Sequence, residues 1–140
     1  MYVIAFPLLL IPFAIYNMVA FLLNLDVQER LFDVPLLSGK SVDMSMGDVL
    51  VVIAVLLLYV EILKSTRLST KAIVDHGLSV ILFIVMVIEF ITVQWAATST
   101  FLILVALSFV DVIGGFTITL RTARRDVAYE GPDSRSQAGP

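Results

Sequence analysis

The stretch TSTFLILVALSFVDVIGGFTITLR, residues 98–121, decides how the chain is read. It is long enough to cross a bilayer, since a spanning helix needs about 20 mostly apolar residues. An acid, Asp111, sits near its middle. Helical spacing from Asp111 draws a line through Ser108, Asp111, Gly115, Thr119 and Thr122, with steps of 3, 4, 4 and 3. Residues at these steps share one helix face. The remaining positions are mostly Leu, Ile, Val and Phe. A helix in lipid turns such a small, polar face toward protein. The rest of the chain is expected to cover it.

Composition supports lipid as the solvent. The 140 residues are 59% hydrophobic and only 15% charged, too little charge to cover a soluble domain of this size. Mean hydropathy is +1.00. There is room for one domain. With no cysteine, disulfides, thiolate metal sites and Cys nucleophiles are excluded. The net charge of −3 argues against a nucleic-acid partner. No zinc motif, Ser-His-Asp pattern or phosphate-binding glycine loop is present, so no enzyme activity and no cofactor are expected.

Outward from 98–121, three more apolar runs follow the same logic. Residues 2–25 read as a retained helix and not a cleaved signal, because no Lys or Arg precedes the run and Asn24-Leu25-Asp26 is not a small-residue cleavage site. Pro7 fits a helix entry, whereas Pro12 is expected to remove a backbone bond and bend the helix. Leu10, Phe13, Asn17, Ala20 and Asn24 fall on one face, with Asn17 the polar residue to be buried. Residues 46–63 form the second helix. Ser45 is its N-cap and Asp48 completes a capping pattern. Residues 71–95 form the third, with Asp75, Ser79, Leu82, Met86, Glu89 and Val93 on one seam. Trp95 suits a membrane interface. The connection 26–47 reads as a loop or as a short amphipathic turn on the membrane surface, broken by Pro35 and Ser38-Gly39.

The chain is thus expected to be all-α, a polytopic membrane protein forming a four-transmembrane-helix bundle with short loops over 1–125. A polar cytoplasmic tail, 126–140, should be disordered when free. Of the nine basic residues, Lys64, Arg67, Lys71, Arg121, Arg124, Arg125 and Arg135 fall on one side, against Arg30 and Lys40 on the other. The positive-inside rule then puts both termini in the cytoplasm, with a bacterial inner membrane as the plausible home.

Counting helical rise places Asp111 near mid-bilayer, with Tyr59 and Phe13 at similar depth and Asn17 near Ser108. Glu89 lies closer to the outer face. Gly114 and Gly115 are expected against Ser79. With no Lys or Arg at its depth, Asp111 should be protonated, or hydrogen-bonded to Ser108, Asn17 or Tyr59. Glu61, Lys64, Asp75, His76 and Arg121 are expected to gather at the cytoplasmic interface, Glu61 pairing with Lys64 three residues on. A single histidine cannot furnish both axial ligands of a haem or a His-cluster metal site.

Two functions fit. The first is an accessory subunit that packs against lipid, another membrane protein or a second copy through its small, polar helix face. The second is a proton or ion translocation module using Glu61, Asp111 and Glu89, acids at three depths.

Overall fold

The structure, a computed structural model, describes residues 6–66 and 70–129. Expectations placed on residues 1–5, on Arg67, on a cap from Ser69 or the Thr70 side chain, on the Thr122 side chain and on residues 130–140 lie outside the described residues.

The protein is mostly helical, at 73%. Helix α1 spans Leu10–Asn17 and continues as a π-helical turn, Met18–Leu22. Two strands follow, β1 (Arg30–Pro35) and β2 (Ser41–Ser45), and then α2 (Met46–Ser65) and α3 (Thr70–Thr92). A short 3₁₀ turn, Gln94–Ala96, leads into α4 (Ser99–Tyr129), so the first residues of the expected tail continue the last helix. Segments Met46–Ser65, Lys71–Thr92 and Ser99–Arg125 are long and apolar enough to cross a membrane by length and composition. At most 28% of each one's most apolar window is buried inside the chain, so most of its apolar surface faces outward.

The first segment is shorter as a helix than its apolar run suggests, at Leu10–Leu22. It nevertheless runs the length of the bundle. At one end, the Leu8 N–H and Phe6 carbonyl bond Glu61 and Lys64 at the end of α2. At the other, the Tyr16 hydroxyl reaches the Trp95 carbonyl and Thr98, and Phe21 stacks on Trp95. Pro12 removes no intrahelical bond here. It occupies the third helical position, where N–H groups have no intrahelical partner. Besides Pro7, the buried residues of this segment are Leu9, Pro12, Tyr16 and Val19, one step away from the face expected from sequence.

The connection before α2 is a β-hairpin and not a plain loop or amphipathic turn. β1 and β2 pair antiparallel from Arg30↔Ser45 to Pro35↔Ser41, with an irregularity between Arg30 and Phe32. Gly39, at φ 80°, makes the reversal at the tip, a conformation that favours glycine. The alternating signal is short: Phe32↔Met44 and Val34↔Val42 flank Asp33↔Asp43, and the irregularity at Leu31 and Pro35 at the strand end interrupt it. At the hairpin base, Ser45 and Asp48 form the full capping box expected from sequence: the Ser45 hydroxyl accepts from the Asp48 N–H (3.1 Å) while the Asp48 carboxylate accepts from the Ser45 N–H (2.8 Å).

The α2 face turned inward is Gly47, Leu50, Ala54, Leu58 and Glu61. It packs on α4, which also takes α3 on its other flank. Gly47 has a steric reason to be glycine: a Cβ there would collide with the Thr100 side chain. The core between these helices is Leu50, Ala54, Leu58, Leu82, Met86, Phe101 and Leu104, closed at one end by Tyr16 edge-on to Phe101 at 5.0 Å.

Candidate functional site

Polar side chains inside the bundle collect in two layers. The first joins the end of α2, the start of α3 and the middle of α4. Lys64 is its hub. Its ammonium donates to the Phe6 carbonyl (3.0 Å), lies 3.0 Å from Asp75 Oδ2, and is 3.4 Å from Glu61 Oε1. Glu61 is 5% exposed and also accepts the Leu8 N–H at 3.0 Å. The lysine can do this because its long stem lets a terminal charge reach several carbonyl and carboxylate oxygens at once. Asp111, also 5% exposed, is hydrogen-bonded by Ser79 of α3. Glu61, Lys64, Asp75, His76, Ser79, Asp111 and Gly115 enclose a cavity of about 20 Å³, enough for roughly one water. One wall carries Asp75 Oδ1, buried with no hydrogen-bond partner.

The α4 stripe is the backbone of this layer. Ser108, Asp111 and Gly115 are buried, and Thr119 lines the cavity. The stripe is therefore used inside the chain. Three expectations need correction. The hydrogen-bond partner of Asp111 is Ser79, and neither Asn17 nor Tyr59 lies in its layer. Tyr59 is 64% exposed, because it sits one residue, about 100° of helix, off the buried face that holds Leu58. Gly115 does face α3, lining the same cavity as Ser79 with a Cβ there 3.1 Å from His76 Nδ1, whereas Gly114 does not join it: a Cβ there would meet nothing within 4 Å. Arg121 is exposed and outside the cavity lining, since two residues beyond Thr119 is more than half a turn away. The expected Glu61–Lys64 pair is present, with Glu61 buried and Lys64 half-buried.

The second layer lies at the opposite end. Asn17 hydrogen-bonds Glu89, and its amide also donates to the Phe13 carbonyl at 3.2 Å. Glu89 Oε1 is buried without a hydrogen-bond partner. Tyr16 is the residue that sequence reasoning missed here. Fully buried, its hydroxyl lies 2.7 Å from both the Trp95 carbonyl and Thr98 Oγ1. An aromatic body with a polar tip two turns before Asn24 was the available clue.

Between the layers the interior is apolar. Ser79 and Glu89 are ten residues apart on α3, about 15 Å of rise. The inward positions between them are Leu82 and Met86, at 6% and 1% exposure, backed by Phe101 and Leu104 of α4.

The outward side of the same region is open. Helix α1 packs mainly on α2 and α4, leaving a seam between itself and α3. Toward the Lys64 end, Phe6, Pro7, Leu10 and Phe13 face Leu78, Ile81, Leu82 and Val85 across about 300 Å³. Toward the Trp95 end, Asn17 and Phe21 face Val85, Ile88, Glu89, Thr92 and Trp95 across about 380 Å³. Compared with family models, curated proteins and solved structures, the chain finds no match in any of the three.

Proposed function

We propose that the chain is a small integral-membrane interaction protein, an accessory subunit without enzyme activity, that packs against another membrane protein or lipid. Four passes with both termini in the cytoplasm of a bacterial inner membrane draw on three helices long enough to cross, on the shorter Leu10–Leu22 helix beside them, and on the seven-to-two distribution of basic residues. The observation that carries the reading is the open α1–α3 seam. The small, polar stripe of α4 is occupied by α2 and α3, so the seam is the place where the bundle leaves apolar wall for something outside the chain.

The alternative, a proton or ion translocation module, draws on the same three acids. The apolar layer of Leu82, Met86, Phe101 and Leu104 counts against it, because a proton needs water or polar side chains across about 15 Å.

Purification in mild detergent tests both. The expected result is a protein or lipid retained at fixed stoichiometry and lost on Ile81→Trp, which fills the seam wall. A chain that retains nothing, and instead acidifies liposomes in a manner abolished by Asp111→Asn, would replace the interaction reading with translocation.

A further inference from the structure

We infer that the polar layer between α2, α3 and α4 is a binding site for one water molecule, which donates to Asp75 Oδ1 and ties α3 to a hydroxyl of a neighbouring helix. This stands apart from the interaction reading, because it concerns the interior of the bundle and not the seam.

The supply of donors comes first. Asp75 Oδ1 is buried with no hydrogen-bond partner, although Oδ2 of the same carboxylate takes the Lys64 ammonium at 3.0 Å. A carboxylate oxygen only accepts, so it needs an N–H or an O–H. The side chains around the cavity have none to spare. Lys64 has three N–H groups and three groups to serve, the Phe6 carbonyl, Asp75 and Glu61. Three hydroxyls line the cavity, and each has one hydrogen. Ser65 gives its hydrogen to the Ile62 carbonyl at 2.6 Å, Thr119 gives its own to the Gly115 carbonyl at 2.8 Å, and Ser79 bonds Asp111. His76 follows Asp75 in the helix, about 100° round it, and its ring stacks on Phe116. It gives Oδ1 nothing. A buried acceptor without a donor is strongly unfavourable, so the donor comes from outside the chain.

Size and chemistry then select it. The cavity is about 20 Å³. One water needs roughly 10–15 Å³ of such space, so one enters and a second is crowded out. An organic ammonium or alcohol is larger than this. Among the described residues, no three acid, imidazole or thiol groups are placed to hold a metal ion. Water has two hydrogens to give. The first goes to Asp75 Oδ1. The second finds the lone pairs of Ser65 on α2 or Thr119 on α4, whose own hydrogens are already spent. Either bond carries α3 across to a neighbour, one turn from the direct Ser79–Asp111 link. A bridge of this kind holds nearly as well as a direct hydrogen bond. The space itself depends on Gly115, where a Cβ would press on His76 Nδ1 at 3.1 Å.

The test uses the full chain in detergent micelles. Oxygen-17 magnetic relaxation dispersion counts waters held for longer than the particle takes to tumble. The unaltered chain is expected to hold at least one. Ala72 lines the cavity with a single methyl group, and Ala72→Val fills the space beside it, so the count should fall by one. The count should not respond to added sodium or ammonium chloride. A crystal structure of the unaltered chain gives a second reading that needs no variant to fold: one water at about 2.7–3.0 Å from Asp75 Oδ1. No long-lived water in the unaltered chain, or a count that Ala72→Val leaves unchanged in a folded protein, overturns the inference. So does a count that falls as either salt is added, or an occupant at about 2.0–2.6 Å from its oxygens, since each marks a cation in place of water. A crystal structure with Asp75 Oδ1 on a donor from the chain overturns it as well.

Discussion

Two adjacent glycines on α4 offer a matched pair for measuring how closely α3 and α4 approach. A Cβ on Gly115 would lie 3.1 Å from His76 Nδ1, 3.3 Å from Cε1 and 3.7 Å from the Ser65 Cβ. The ring cannot retreat freely, because it stacks on Phe116 at 5.9 Å. A Cβ on Gly114 meets nothing within 4 Å. Replacing either glycine by leucine gains about 0.8 kcal/mol of helix propensity, and that gain cancels between neighbours in one helix. What remains is packing. Gly115→Leu forces its side chain into the space of the imidazole, at about 1–3 kcal/mol. Gly114→Leu carries no such cost, so the two variants should differ by about that amount. Reversible unfolding by SDS in mixed micelles, followed by circular dichroism, measures it. The emission of the single tryptophan, Trp95, reports the far end of the bundle. His76→Ala should recover most of the Gly115→Leu loss by removing the ring. Variants that differ by less than about 0.5 kcal/mol, or no recovery with His76→Ala, would refute the close approach.

Gly47→Ala should cost about 1–3 kcal/mol for the same reason, with Thr100→Ala in the same chain relieving part of it; additive losses in a double-mutant cycle would contradict the contact. Asp111→Asn should keep the bond with Ser79 and the fold, whereas Asp111→Leu should lose about 1–3 kcal/mol by leaving a buried hydroxyl unpaired. Equal stability of the two would mean the bond contributes nothing. Tyr16→Phe removes the hydroxyl from Trp95 and Thr98 and should lower stability by about 1 kcal/mol with a change in Trp95 emission; an unchanged protein would deny the bond. Reporter fusions after Lys40 and after Arg125 should report opposite sides of the membrane, and the same side for both would end the four-pass topology.

Helices α3 and α4 were legible because their inward faces differ chemically from the rest. Asp75, Ser79 and Glu89 stand at heptad-like steps among Ile and Val, and Ser108, Asp111 and Gly115 do the same on α4. Such contrast survives without knowledge of the neighbours. The hairpin's contrast is brief, one Asp33↔Asp43 pair between two apolar pairs, and it is broken by the irregularity before Phe32. The reach of Lys64 to the Phe6 carbonyl joins residues 58 apart in sequence. Pairwise spacing on one helix cannot reveal that bond.

The most informative discrepancy is on α1. The sequence pattern singled out Leu10, Phe13 and Asn17 as a contact face, yet the chain's own core takes Leu9, Pro12, Tyr16 and Val19. Tyr16 explains the rotation. Its hydroxyl can reach the Trp95 carbonyl and Thr98 only with the ring against Phe101, and this turns the next face, about 100° away, toward α3. That next face is the seam wall: Leu10 and Phe13 line its apolar part and Asn17 its polar end beside Glu89. The pattern thus marks a second contact surface on α1, half-buried: Leu10 and Phe13 pack on the core, Asn17 bonds Glu89 of α3, and the rest of the face stays open.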